Sequence, residues 1–102
     1  MLKKRLVIRR HSKTIPLKIA PAGAAFWVNN GPSLRHLLDL SKFLTIITAE
    51  QFHYHTKRTG NDFAKWVRAV LGDERCARAL EASKTIAAAR RAAAKALKRY
   101  DV

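Results

Sequence analysis

The sequence has few of the features that direct a chain to a membrane or to an oxidising compartment. It contains one cysteine, Cys76, which cannot form an internal disulfide or, alone, a thiolate metal cluster. No apolar run approaches the roughly 18 residues that a membrane-spanning helix requires. The aliphatic residues 6–8 are followed at once by Arg9, Arg10 and His11, which interrupts any signal-peptide core. We therefore expect a soluble, cytoplasmic protein.

Acidic residues are also scarce. Seven Asp and Glu stand against 21 Lys and Arg, which gives a formal net charge of +14 in 102 residues. So basic a chain repels itself when compact, and a polyanionic partner such as DNA or RNA would explain the charge. The hydrophobic content of 48% includes Leu, Ile, Val, Phe and Trp in the middle of the chain, which argues against a disordered basic tail.

The positive charge is concentrated at the two ends of the chain. Residues 1–20 contain seven basic residues and no acidic one, and residues 83–102 contain six basic residues and one acidic one. Residues 21–82 contain eight basic and six acidic residues, so the middle is nearly neutral. This layout predicts a basic extended arm (1–24), a helical core domain (25–82) and a basic amphipathic helical extension (83–102).

The arm and the start of the core carry turn and strand signals. Three aliphatics at positions 15, 17 and 19 alternate with other residues, but Pro16 and Pro21 restrict any sheet there to an edge. We expect the arm to pack only where these aliphatics find a groove. A short aromatic run at 26–28 ends in the turn sequence Asn-Asn-Gly-Pro at 29–32.

The rest of the chain predicts a mainly α fold of about four helices. Ser33 resembles the cap of a Leu-rich helix over 33–46, and Thr48 with Gln51 forms the capping box of a short helix. A third helix follows Asn61, and Gly72 ends it. Its apolar stripe has the spacing i, i+3, i+4, i+7 and consists of Phe63, Trp66, Val67 and Val70.

A single long helix is predicted from Asp73, its N-cap, almost to the C-terminus. Its small-residue face comprises Ala79, Ala82, Ile86, Ala89, Ala93, Ala96 and Tyr100. Basic residues lie near the opposite side, at Lys84, Arg91, Lys95 and Lys98.

Several polar and aromatic residues have structural interpretations that we prefer to chemical ones. His53 and His55 point apart on a helix and do not chelate together, and we expect His55 to bond Asn61 or Asp62. Cys76 is expected to be a buried, structural thiol. Among the aromatics, Trp66 is assigned to the core, Trp27 is left open, and Tyr54 is the one that we most expect to be exposed.

No catalytic or cofactor-binding sequence motif is present. We therefore predict a protein that is not an enzyme and that uses neither a metal nor another cofactor.

The segment from Ala25 to Leu80 resembles a small, uncharacterised prokaryotic family of helical domains. The resemblance covers about residues 25–80. It rests on an aromatic–Gly start, a Leu-rich helix, Phe-x-x-His at 52–55, Asn-Asp-Phe-x-x-Trp at 61–66 and Gly-Asp at 72–73. The family has no established activity, so the resemblance implies a fold and leaves the function to the basic ends.

Function is therefore predicted from the basic residues, each of which can contact a phosphate and release counterions. No base-reading motif is evident, so backbone contacts to DNA or RNA are expected, as in a nucleoid-type or a ribosome-associated protein. The predicted contacts are Lys3, Lys4, Arg5, Arg9, Arg10, Lys13, Lys18, Lys57, Arg58, Lys84, Arg90, Arg91, Lys95, Lys98 and Arg99.

Two other classes of function remain open at this stage. One is a protein-interaction module, in which the Ala-rich helix packs on an acidic partner or on a second copy of the chain. The other is peripheral membrane binding, which the weakly apolar alanine face disfavours. The sequence does not separate DNA from RNA.

Overall fold

Five α-helices make up about half of residues 14–102, the part of the chain that the computed structural model describes. They are Leu37–Phe43 (α1), Ala49–Lys57 (α2), Asp62–Ala69 (α3), Glu74–Glu81 (α4) and Ile86–Leu97 (α5). A 3₁₀ turn covers Ala22–Ala24. The expectation of a mainly α fold is confirmed. Within the described residues, no helix has the length and apolar character needed to cross a membrane.

Side-chain caps begin the helices at the places where the sequence signals them most clearly. Thr48 and Gln51 form the predicted capping box, with both side-chain to backbone hydrogen bonds at 3.0 Å. The Asn61 side chain accepts from the amide of Ala64, and Asp73 caps α4 in the same way. Gly72 has the positive φ of a helix-terminating residue, +69°. These local signals therefore set three of the helix starts as predicted.

The first helix begins later than predicted. Ser33 does not cap it, because Ser33–Leu34 (β3) pairs antiparallel with Phe26–Trp27 (β2). The turn between these strands reverses the chain, with Asn30 at φ +57°, and the residues after it must extend to complete the hairpin. His36 supplies the cap instead, since its Nδ1 accepts from the amide of Asp39 at 3.1 Å.

The single C-terminal helix predicted from residue 73 is also wrong, because the chain breaks between α4 and α5. The Ser83 hydroxyl donates to the carbonyl of Ala79 at 2.7 Å, and the Ser83 amide donates to Leu80. Thr85 then caps a new helix by accepting from the amide of Ala88. Serine and threonine side chains compete with the helix for backbone hydrogen-bonding groups. The helix therefore ends here, although the flanking residues have a high helix propensity.

The hydrophobic core is built on an aromatic cluster and closed by alanines of α5. The rings of Phe26 and Phe63 stack at 4.9 Å, and Trp66 meets Phe26 edge-on at 5.7 Å. Of the residues predicted to form the small-residue face, Ala89, Ala93 and Ala96 are buried in the same core, whereas Ala79 and Ala82 are exposed. The break before α5 explains this difference, because the two halves of the predicted stripe lie on different helices.

A strand pairing and a pair of side-chain hydrogen bonds attach the N-terminal part of the described chain to the rest of it. Ile15–Pro16 (β1) pairs parallel with Tyr100–Asp101 (β4), and the Ile15 amide donates to the carbonyl of Arg99. The guanidinium of Arg35 donates twice to the carbonyl of Ala20, at 2.8 and 3.0 Å, and Ala20 is fully buried. Residues 14–24 are therefore attached to the rest of the described chain at two points, although most of their side chains are exposed.

Trp66 joins the core to this N-terminal segment. It is 8% exposed, as the prediction of a core residue requires, and its indole N–H donates to the carbonyl of Ala24 at 2.8 Å. We expect Trp66→Ala to lower the free energy of unfolding by about 3–5 kcal/mol. Trp66→Phe keeps most of the packing and leaves the Ala24 carbonyl without its donor, so it should cost only about 1 kcal/mol.

Urea unfolding followed by circular dichroism measures both changes. Equal losses for the two variants would mean that the hydrogen bond, and not the packing, accounts for the contribution of Trp66.

Candidate nucleic-acid interface

The structure places the predicted phosphate contacts in several different environments. The contacts at Lys3, Lys4, Arg5, Arg9, Arg10 and Lys13 lie outside the described residues. Lys18 is exposed between β1 and the 3₁₀ turn. The remaining residues lie at the end of α2, in the linker before α5, and on α5 with the residues that follow it.

Three basic residues form one exposed stripe along α5. Arg91, Lys95 and Lys98 follow each other at i, i+4 and i+7, opposite the buried alanines. None of their side chains has an ion-pair or hydrogen-bond partner within residues 14–102, and the sequence contains no acidic residue between Glu81 and Asp101. This stripe, Arg91, Lys95 and Lys98, therefore presents unopposed positive charge to solvent.

Arg90 belongs to the same helix but faces α1. Its Nε donates to the carbonyl of Leu44 at 3.3 Å, at the C-terminal end of that helix. A cation is favourable at this position because the helix dipole is negative there. Arg90 thus joins α5 to α1, and only the rest of its guanidinium remains for a ligand.

Two acidic residues on α4 are already paired with other arginines. Arg68 on α3 donates to Glu74 at 2.7 Å and to Glu81 at 3.0 Å, and Arg78 donates to Glu74 at 3.1 Å. Hydrogen bonds from Arg68 lower the pKa of both glutamates. These carboxylates stay ionised and balance the charges of Arg68 and Arg78, so neither of them pairs with the stripe.

A groove of about 300 Å³ lies between α4 and α5, next to the stripe. Lys95, Lys98 and Arg99 line it from α5 and its C-terminal end, and Arg75 lines it from α4. The structure thus brings three predicted contacts together with Arg75, which the sequence analysis missed because it lies within the nearly neutral body. A signal was present: Arg75 is a cation in the first turn of a helix, where the dipole disfavours it.

Asp73 holds one of the groove cations in place. Its carboxylate accepts from the Tyr100 hydroxyl at 2.6 Å, from the Cys76 amide at 2.9 Å and from Nη2 of Arg99 at 3.1 Å. Burial alone would raise the pKa of Asp73, but these three hydrogen bonds outweigh it, and the pKa lies below its ordinary value. A buried carboxylate therefore joins the start of α4 to the end of α5.

Two neighbours of Asp73 stay protonated for related reasons. Burial and the Asp73 charge raise the pKa of Cys76 to about 12, and burial with the hydrogen bond to Asp73 raises that of Tyr100 to about 12. Cys76 is 1% exposed, so the prediction of a buried thiol is confirmed. A thiol with this pKa is a poor nucleophile at neutral pH.

Lys57, Lys84 and Glu81 line a second cavity, of about 280 Å³. Arg58 lies over the ring of Tyr54 at 4.1 Å and within 3.9 Å of Asp62. These three predicted contacts are therefore close to acidic or aromatic groups, unlike the stripe on α5.

The structure confirms the predictions for His55 and Tyr54 and shows where Trp27, which was left open, lies. His55 is buried, and its Nδ1 lies 3.0 Å from a carboxylate oxygen of Asp62, as predicted. Its Nε2 accepts from the amide of Asn29, so both ring nitrogens have partners within the protein. Tyr54 is exposed, as predicted, at 38%, and Trp27, which the sequence left open, is 71% exposed because it points outward from the hairpin.

Comparison of the chain with protein-family models, with curated proteins and with solved structures gives no match. The family resemblance over residues 25–80 thus stays a prediction, and the function has to be inferred from the geometry.

The Asp73 cluster predicts a pH-dependent contribution to stability. Asparagine at this position keeps the helix cap but loses the charge, so Asp73→Asn should lower the free energy of unfolding at pH 7 by roughly 2 kcal/mol. The folded-state pKa of Asp73 is depressed, so its contribution is present above the unfolded value of about 3.9 and is lost as the pH falls through the folded value.

Urea unfolding of both proteins between neutral and acidic pH tests this. The difference between them should be constant near neutrality and shrink below about pH 4. A difference that persists at acidic pH would contradict the assignment of an ionised Asp73.

Proposed function

We propose that this chain is a non-catalytic nucleic-acid-binding protein that contacts mainly the phosphate backbone. The observation that carries the proposal is the stripe of Arg91, Lys95 and Lys98, which is exposed and forms no ion pair within residues 14–102, while Glu74 and Glu81 are bound to arginines of α3 and α4. Such a surface binds a polyanion and releases its condensed counterions.

The dimensions of the stripe suit a row of phosphates. At a rise of about 1.5 Å per residue, Arg91 and Lys98 are about 10 Å apart along the helix axis. One strand of duplex DNA has a phosphate about every 3.4 Å of axis, so the stripe spans about three of them. The helix contains no Asn or Gln, the residues that pair with adenine edges, which favours backbone contact over base reading.

DNA coating and association with folded RNA both suit the stripe. Equal affinity for random duplexes would favour the first, and retention on ribosomes at high salt would favour the second.

The protein-interaction alternative loses its main support. It requires a free alanine face on the C-terminal helix, and Ala89, Ala93 and Ala96 are buried against the protein's own core. The same burial removes the apolar face that a peripheral membrane helix would insert.

Charge reversal on the stripe tests the proposal. We expect Arg91→Glu/Lys95→Glu to weaken binding to random duplex DNA or to RNA by more than tenfold, and to reduce the slope of log K against log salt by about 2. Fluorescence anisotropy titrations at several salt concentrations measure both quantities.

The matched control is Lys42→Glu/Lys65→Glu, which makes the same change in net charge with exposed residues on α1 and α3. It should weaken binding far less. Equal losses in the two variants would show that only the total charge matters, and the absence of wild-type binding to DNA or RNA at low ionic strength would disprove the proposed function.

A further inference from the structure

The groove between α4 and α5 differs from the stripe in having an apolar floor. Its floor and walls include Ala79 of α4 and Ala92 of α5, and neither side chain reaches far from its helix. No acidic residue lines the groove, although Asp73 binds Arg99 at its edge. At about 300 Å³, the groove is at the lower end of the volumes of small-ligand sites.

The cations of the groove come from α4, from α5 and from the residues that follow α5, and each keeps hydrogen-bond donors for a ligand. The Arg75 side chain has no hydrogen-bond or ion-pair partner in the described part of the chain, and it lies in the first turn of α4, where a cation does not stabilise the helix. Arg99 uses only Nη2 to bind Asp73. Asp73 therefore positions the Arg99 guanidinium and leaves its Nε and Nη1 available.

The combination of a cationic rim and an apolar floor matches the two parts of an unpaired nucleotide. We propose that the groove holds one nucleotide of a single-stranded nucleic acid, with phosphates at Arg75, Lys98 and Arg99 and the sugar or base against Ala79 and Ala92. This proposal rests on the proposed function and names the kind of nucleic acid that the site selects.

A duplex fits the groove less well than a single strand. Its bases are stacked inside, so it would place a charged backbone on the apolar floor, which is costly because the backbone loses water there without gaining partners. An unstacked nucleotide offers apolar surface and leaves its phosphate at the rim. An acidic peptide supplies the charge but little apolar area for the floor. Lys95 and Lys98 belong to both the groove and the stripe, so a strand in the groove continues onto the stripe.

The steric test fills the groove without changing the charge. Ala92→Leu places a larger side chain on the groove wall, and leucine is a good helix former, so α5 should remain intact. We expect this variant to lose about fivefold or more in affinity for a short oligothymidylate and to bind a random duplex as the wild type does. The matched control is Ala94→Leu, an exposed position of α5 outside the groove, which should change neither affinity.

The electrostatic test removes Arg75. Arg75→Ala should weaken oligothymidylate binding and reduce the salt slope by about 0.7, the value for one phosphate contact on a single strand. Arg78→Ala on the same helix makes the same change in charge at a residue paired with Glu74, and it should leave the slope unchanged.

The outcomes separate this inference from the proposed function. If the wild type binds neither DNA nor RNA, the proposed function itself is wrong. If the wild type binds but Ala92→Leu and Arg75→Ala match their controls, the groove assignment alone is overturned. Equal losses on duplex and single strand would overturn the preference for an unpaired nucleotide. If polyglutamate competes at equal ionic strength and the groove variants weaken its binding equally, the groove holds an acidic peptide instead.

Discussion

The packing of the alanine face of α5 determines which side chains the molecule presents. Ala89, Ala93 and Ala96 are small enough to bring α5 close to α1 and α4, and once they are buried the opposite face must point to solvent. That face carries Arg91, Lys95 and Lys98. The same contact that completes the core therefore exposes the cations, so the basic surface is a property of the fold as well as of the composition.

Charge is separated across the molecule by the same geometry. Glu74 and Glu81 project toward Arg68 and pair with it, which leaves no carboxylate of theirs to neutralise α5. Asp73 is the exception, since it faces the end of α5 and binds Arg99 and Tyr100. It neutralises part of one cation, but it also fixes the relative position of α4 and α5, on which the groove depends.

Much of the local structure could be predicted from the sequence, because capping and periodicity are short-range. The Thr48–Gln51 box, the Asn61 and Asp73 caps and the stripe with Trp66 follow from residues within one or two turns of each other. The mistakes arose where signals competed. At residue 33 a helix cap and a hairpin strand were both possible, and the turn before it decided the outcome. At Ser83 and Thr85 strong helix formers on both sides concealed a break.

The site depended on tertiary contacts and was harder to predict. Arg91, Lys95 and Lys98 were found because they share one helix, whereas Arg75 joins Lys98 and Arg99 only through the packing of α4 on α5. The helix break has a direct consequence here: a continuous helix from residue 73 would have kept Arg75 more than 30 Å from Lys98, given about 1.5 Å per residue. The interruption at Ser83 allows the chain to reverse, and it thereby creates both the groove and its cationic rim.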